Sequence, residues 1–204
     1  MSFYEDRIFP PVMEWATRVF RNDIAQLIAK AQGRVLEIGA GTGANLDFYS
    51  DQVAEVIGIE PVEAMLETAR QKVRQSPRGV PVSLQVGDAR HLPFEDDSFD
   101  SVVACLVYCT IPDPHLAAAE MHRVLKPGGK LIFFEHVVSK RSWVRRAQRS
   151  INPMWRRLAC GCEITRDTRA LFEHAGFSYE QINDFNHPKV PPLMAPVISG
   201  IAVK

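Results

Sequence analysis

The chain has 204 residues, of which 46% are hydrophobic and 24% charged, a balance that suits one folded domain with a sizeable core. Lys plus Arg and Asp plus Glu both number 24, so overall charge gives no support to a nucleic-acid binder, and no nucleic-acid partner is expected. No apolar stretch approaches the roughly 18 residues that a membrane-spanning helix needs.

Along the chain, residues 11–30 place Val12, Trp15, Ala16, Val19, Phe20, Ile24, Leu27 and Ile28 at helical spacing. After Gly33, residues 34–39 form a short apolar run that breaks into a glycine-rich turn, and 44–51 are predicted as the helix that follows. Strand signals recur at 55–60, 82–86, 101–107 and 130–136. Helical spacing covers 62–74 and 115–125, the latter stopped by Lys126-Pro-Gly-Gly129. A helical stretch spans 140–175, with Asn152-Pro153 expected to interrupt it and a further helix starting near Thr165. Runs at 177–185 and 197–203 are the last predicted strands. Strands alternating with helices predict an α/β fold, a largely parallel sheet covered on both faces, with ligands at the carboxyl ends of its strands.

Gly39-Ala40-Gly41-Thr42-Gly43 follows a predicted strand and opens a predicted helix, where glycine lets the backbone turn tightly and approach a ligand. The spacing alone fits a dinucleotide as well as S-adenosylmethionine. Glu60 ends the second predicted strand, 21 residues after Gly39, and suits a ribose diol. Glu37 puts a carboxylate beneath the loop, useful to a cationic amino group and repulsive to a pyrophosphate. Asp88, followed by Ala89, is a second polar acceptor, although Asp in such a place also serves as a turn or helix cap.

The segments LEIGAGTG, GIEP, GDARHLPFEDDSFDSVVA and HRVLKPGGKLIFFEH resemble the successive motifs of class I methyltransferases, in the right order from about 34 to 136. That resemblance implies a Rossmann-like fold, with a seven-stranded mostly parallel sheet, an antiparallel last strand and helices on both faces. It also implies S-adenosyl-L-methionine as cofactor. Carried onto this chain, Gly39, Gly41 and Gly43 border the methionine part and Glu60 holds the ribose. Pro61 and Met65 flank the adenine, Asp88 and Ala89 meet its edge, and Leu106 lines the other side. GTGAN, LVYC, FEHV, NPMW and GCEITR are similar to the methyltransferase-like 7 proteins, which include membrane-associated alkyl-thiol S-methyltransferases. The chain starts without the hydrophobic anchor of the animal members, like soluble bacterial relatives. With no signal-peptide core in MSFYEDRIFPP, it is expected in the cytoplasm.

The expected activity is methyl transfer to a small molecule, best a small apolar thiol. His136 is the candidate base, with Glu135 beside it in the catalytic pair. Tyr108 and Cys109 are expected to line the acceptor pocket, with Tyr4 in a lid over it. Rival readings are N-, O- or C-methylation of an amine, phospholipid headgroup or quinone-type acceptor, a non-catalytic cofactor-binding protein, and an NAD-dependent oxidoreductase. The NAD reading is disfavoured by Glu37. One domain is expected: an N-terminal helical lid at 1–33, a cofactor core at 34–136 and substrate-side elements at 137–204.

Cysteines at 105, 109, 160 and 162 are too few for a disulfide framework in a chain this long. Their C-x3-C and C-x-C spacings depart from structural zinc sites, so no metal site is expected. Charge is uneven: residues 1–139 carry 13 basic against 19 acidic groups, residues 140–204 carry 11 against 5. Lys140, Arg141, Arg145, Arg146, Arg149, Arg156 and Arg157 share 140–157 with Trp143, Val144, Ile151, Met154 and Trp155. Such a basic amphipathic segment suits peripheral contact with an anionic membrane, or a solvated face capping the site.

Overall fold

The computed structural model describes residues 9–75 and 79–204. The N-terminal helical stretch is two short helices, α1 (Phe9–Thr17) and α2 (Arg21–Ile28), joined by a 3-10 turn at Arg18–Phe20. The strands follow as β1 (Gly33–Ile38), β2 (Val53–Glu60), β3 (Val82–Val86), β4 (Phe99–Cys105), β5 (Leu125–His136), β6 (Ser178–Asn186) and β7 (Pro196–Val203). Between them lie α3 (Glu63–Gln75), α4 (Pro114–Val124), α5 (Ser142–Leu158) and α6 (Thr168–His174). The strands form one sheet in the order β3-β2-β1-β4-β5-β7-β6. β1 to β5 run parallel, while β7 lies antiparallel to both β5 and β6.

Period-2 alternation sends successive side chains of the central strands to opposite faces. Leu36, Val102, Ala104, Leu131 and Phe133 join Met121, Phe172 and Phe177 from the side of α4 and α6. Val35, Val103, Ile132 and Phe134 instead meet Phe20, Ile24, Leu27 and Ile28 of the N-terminal helices. Both faces are covered, so the strands read as near-continuous apolar runs. At roughly 1.5–3 kcal/mol for each fully buried large side chain, this double layer is the main stabilising term.

Three local expectations change. Residues 44–51 hold one 3-10 turn, Leu46–Phe48, rather than a helix, because Asn45 and Tyr49 both turn their side chains back to Glu37. Pro153 does not interrupt α5, which runs through to Leu158. Arg149, four residues earlier, whose carbonyl loses its helical partner at Pro153, is an exposed residue. The next helix begins at Thr168, not near Thr165, because Asp167 is its N-cap and accepts from the Ala170 N–H.

Candidate active site

A cleft of about 1820 Å3 runs along the carboxyl ends of the parallel strands. Pockets for a single small ligand are roughly 300–1,000 Å3, so this cleft has room for two molecules at once.

One end is built from backbone. At Gly39 φ is 67°, and a Cβ there would come within 2.4 Å of Val107 Cγ2, so only glycine fits. At Gly41 φ is 54°, and a Cβ would project toward Met65 Cε at 3.5 Å, into the cradle between loop and α3. Glu60 closes that cradle: Oε2 accepts from the Gly41 N–H at 3.2 Å and Oε1 from the Val62 N–H at 3.1 Å. Burial raises its carboxyl, against those two hydrogen bonds. Each oxygen keeps a lone pair for a further donor, which is what a vicinal diol needs. This open glycine cradle with a carboxylate at its edge fits S-adenosylmethionine. Pro61, Met65, Ala89 and Leu106 line the same stretch. Leu106 has a left-handed φ of 56°, a strained conformation of the kind that collects at ligand sites.

Two expected cofactor residues are less direct. Glu37 is buried and does not line the cleft; its oxygens accept from Asn45 Nδ2 at 2.9 Å and the Tyr49 hydroxyl at 3.0 Å. Burial pushes its carboxyl up to about 7. Its contact with the cleft runs through Asn45, which does line it. Asp88 lines the cleft but is held by Arg90, whose guanidinium and backbone N–H both bond its oxygens and keep its carboxyl below the usual range.

The other end is built from side chains. Cys109 from the turn after β4, His136 from the end of β5 and Cys162 from the turn after α5 converge, with their ligand atoms all within 4.8 Å of one another. Cys162 Sγ lies 3.3 Å from His136 Nε2. All three are buried in the wall yet line the cleft, as do Ile111, Trp155, Cys160 and Met194. The Cys109 thiol is pushed well up by its hydrogen bond to Cys162 and by burial. Cys162 goes the other way: its hydrogen bond to Cys109 and, against burial, the contact with His136 favour the thiolate. Burial opposes charge on His136, but the Cys162 sulfur outweighs it and raises the imidazole. Both shifts run toward a thiolate–imidazolium contact between Cys162 and His136.

Two expected residues do not reach the cleft. Tyr108 is fully buried in the core, edge-on to Phe172 at 4.9 Å, its hydroxyl donating to Met121 Sδ at 3.7 Å. The turn that begins at Leu106 swings it inward and leaves Cys109 on the cleft wall. Glu135 neighbours His136 on a strand, so the two point to opposite faces and cannot form one catalytic pair at the cleft. Its Oε1 accepts from the Val107 and Tyr108 N–H groups at 3.0 and 3.2 Å, which fixes the turn carrying Cys109. Burial pushes this carboxyl to about 7. Tyr4 lies outside the described residues. Sequence reasoning missed Cys162 because it weighed the four cysteines by their spacing along the chain alone; the signal available was that the ends of neighbouring parallel strands β4 and β5 must bring residues 109 and 136 together.

Residues 36–133 match the family described as methyltransferase domain. The chain is 36% identical over 184 residues to human thiol S-methyltransferase TMT1B, covering 85% of this chain and 72% of that protein. It is 42% identical over 104 residues to phosphatidylethanolamine N-methyltransferase of Cereibacter sphaeroides, 51% of each chain. Among solved structures, a putative methyltransferase from Bacillus halodurans superposes with a TM-score of 0.70 at 19% identity, covering 90% of this chain and 95% of that one.

Proposed function

The chain belongs to the class I S-adenosylmethionine-dependent methyltransferases, and from that premise we propose that its acceptor is a small, mostly apolar thiol that becomes a methyl thioether. When bound, the cofactor supplies an electrophilic methyl group on a sulfonium. The chain's own work is to align the acceptor sulfur with that methyl, exclude water and help the thiol lose its proton.

The observation that carries this reading is the acceptor end of the cleft: an apolar wall of Ile111, Trp155 and Met194 around the Cys109–His136–Cys162 cluster. An apolar wall holds an alkyl chain but disfavours a free thiolate, as the raised thiol of buried Cys105 illustrates. Ionisation there needs local help, and the cluster is the polar group placed to give it. The similarity to human thiol S-methyltransferase TMT1B supports the same acceptor class. In this reading Gly39 to Gly43 and Glu60 hold the methionine and ribose parts, Pro61 and Met65 flank the adenine, and Asp88 and Ala89 meet its edge once Arg90 yields. Residues 34–136 form the cofactor core, and 137–204 supply the acceptor side through Cys162.

A second reading is N-methylation of a phospholipid headgroup, favoured by one feature of α5. Trp143, Met154 and Leu158 are exposed on it beside a row of arginines, as on a helix that lies on an anionic bilayer. No described helix is long and apolar enough to cross a membrane. Labelled S-adenosylmethionine offered with alkanethiols, amines, phenols and phosphatidylethanolamine vesicles separates these outcomes. Transfer to alkanethiols is expected; label in lipid or amine alone overturns the thiol reading, and no transfer to any acceptor favours a non-catalytic role.

A further inference from the structure

We propose that Cys109, His136 and Cys162 form a zinc site whose fourth coordination position opens into the cleft and takes the acceptor sulfur. Only the identity of that fourth ligand rests on the thiol reading above; the metal site stands on the geometry.

Two thiolates and one imidazole, with one position left open, are a donor set of catalytic zinc sites. Tetrahedral zinc with ordinary bond lengths sets two sulfurs about 3.8 Å apart and a sulfur and a nitrogen about 3.6 Å apart. Here all three ligand atoms lie within 4.8 Å of one another, and Cys162 Sγ is 3.3 Å from His136 Nε2. Meeting those spacings needs side-chain shifts of about an ångström or less rather than a new fold. The mixed sulfur and nitrogen set suits zinc over the hard cations, which seek oxygen.

The surroundings hold these ligands in place. The Glu163 N–H donates to the Cys109 carbonyl at 2.8 Å, which ties the two cysteine turns together. The Ile164 N–H donates to Asn152 Oδ1 at 3.0 Å, fixing the Cys162 turn to α5. Arg166, itself buried, donates through its guanidinium to the Ile111 carbonyl at 3.0 Å, and its backbone carbonyl accepts from the Val138 N–H at 3.0 Å. It therefore clamps the chain just beyond Cys109 to the chain just beyond His136. The Trp155 side chain packs against the buried cluster that contains Cys109 and Cys162.

The site answers the ionisation problem of the apolar pocket. An acceptor thiol that enters the fourth position releases its proton to solvent, and its sulfur keeps the electron pair. That pair forms the new sulfur–methyl bond as the methyl leaves the sulfonium. The thioether product is uncharged, a weaker zinc ligand, and departs.

The test uses the full chain, stripped with a chelator and reconstituted with zinc or cobalt(II). After dialysis against a weak chelator, elemental analysis should find zinc equimolar with protein. The cobalt form should show intense tetrahedral visible bands and a thiolate charge-transfer band that shift when an alkanethiol is added. Cys109→Ser and Cys162→Ser should each lose the charge-transfer intensity, while Cys160→Ser, outside the cluster, keeps it. The site is overturned if wild type retains neither metal, if both cysteine variants keep the wild-type cobalt spectrum, or if the isolated protein carries a Cys109–Cys162 disulfide. If cobalt binds but its bands ignore thiols while an amine or lipid is methylated, the metal site stands and the thiol acceptor falls.

Discussion

The two ends of the cleft are made from different materials. At the glycine loop the work is done by backbone: left-handed glycines and a Glu60 carboxylate pinned by the N–H groups of Gly41 and Val62. At the acceptor end it is done by three side chains from separate segments, held by hydrogen bonds between the turns that carry them. In the proposed reading the backbone end recognises a ligand of fixed shape and tolerates little change. The side-chain end can exchange its chemistry by single substitutions without disturbing the loop. Damage to one end should therefore read as cofactor affinity and damage to the other as turnover.

His136→Ala carries the largest expected effect. Removing the imidazole breaks the cluster proposed to promote ionisation of the acceptor thiol and should lower thiol turnover by roughly 10²–10⁴, the range for lost assistance to a proton transfer. Cofactor affinity, measured by calorimetry, should stay within a few-fold of wild type. A comparable loss in cofactor affinity would break the division between the two ends.

Glu60→Ala tests the opposite end. Loss of the ribose acceptor and of the loop pin should weaken S-adenosylmethionine binding by about 1–3 kcal/mol, the scale of a hydrogen bond to a charged group. At saturating cofactor, turnover should recover most of its wild-type value. Unchanged affinity in a folded variant sinks the ribose assignment, and the same titration with NAD should show no comparable binding.

These materials also explain what the sequence made legible. Gly39 to Gly43 and Glu60 could be read because a loop that needs left-handed φ writes itself as contiguous glycines, and a strand-end acid falls at a fixed spacing. The sheet was legible for the same reason, since strands buried on both faces are continuous apolar runs. Cys162 could not be read as part of the site. Its partners lie in two other segments, and only folding sets its sulfur 3.3 Å from His136. Tyr108 was misplaced because a strand pattern carried past Leu106 does not show where the left-handed residue turns the chain. Pro153 was misread because a local steric rule does not reveal that the residue whose carbonyl it frees is exposed.

The basic face of α5 sharpens the comparison further, since it reports whether the acceptor end also meets a surface. Arg145→Ala, Arg146→Ala and Arg149→Ala combined should weaken binding to anionic vesicles by about 1 kcal/mol per arginine at low salt. Added salt should abolish the difference. No sedimentation of wild type with anionic vesicles at low salt would leave α5 as a solvated cover.

The smallest effect is expected beneath the glycine loop, where the backbone end hides a side-chain feature. Glu37 has its carboxyl pushed up to about 7 by burial, although Asn45 and Tyr49 both donate to it. The titratable groups beside it are Tyr49 and Cys105, whose own pKa values its charge helps to raise. In the unfolded chain the carboxyl titrates near 4.3. Below that pH both states are protonated and Glu37 adds no pH dependence. Between about 4.3 and 7 the unfolded state gives up the proton while the folded state keeps it, so stability is lost as pH rises and the loss is complete above 7. Glu37→Gln removes this dependence and can keep both contacts, since an amide oxygen accepts from Asn45 and its NH2 donates to the Tyr49 oxygen. Melting temperatures of the cofactor-free proteins should converge near pH 4 and separate by several degrees at pH 8, with the variant higher. A variant lower than wild type at pH 8 would mean that the charge is wanted under the loop even without ligand, and the backbone end would then depend on a buried carboxylate as much as on its glycines.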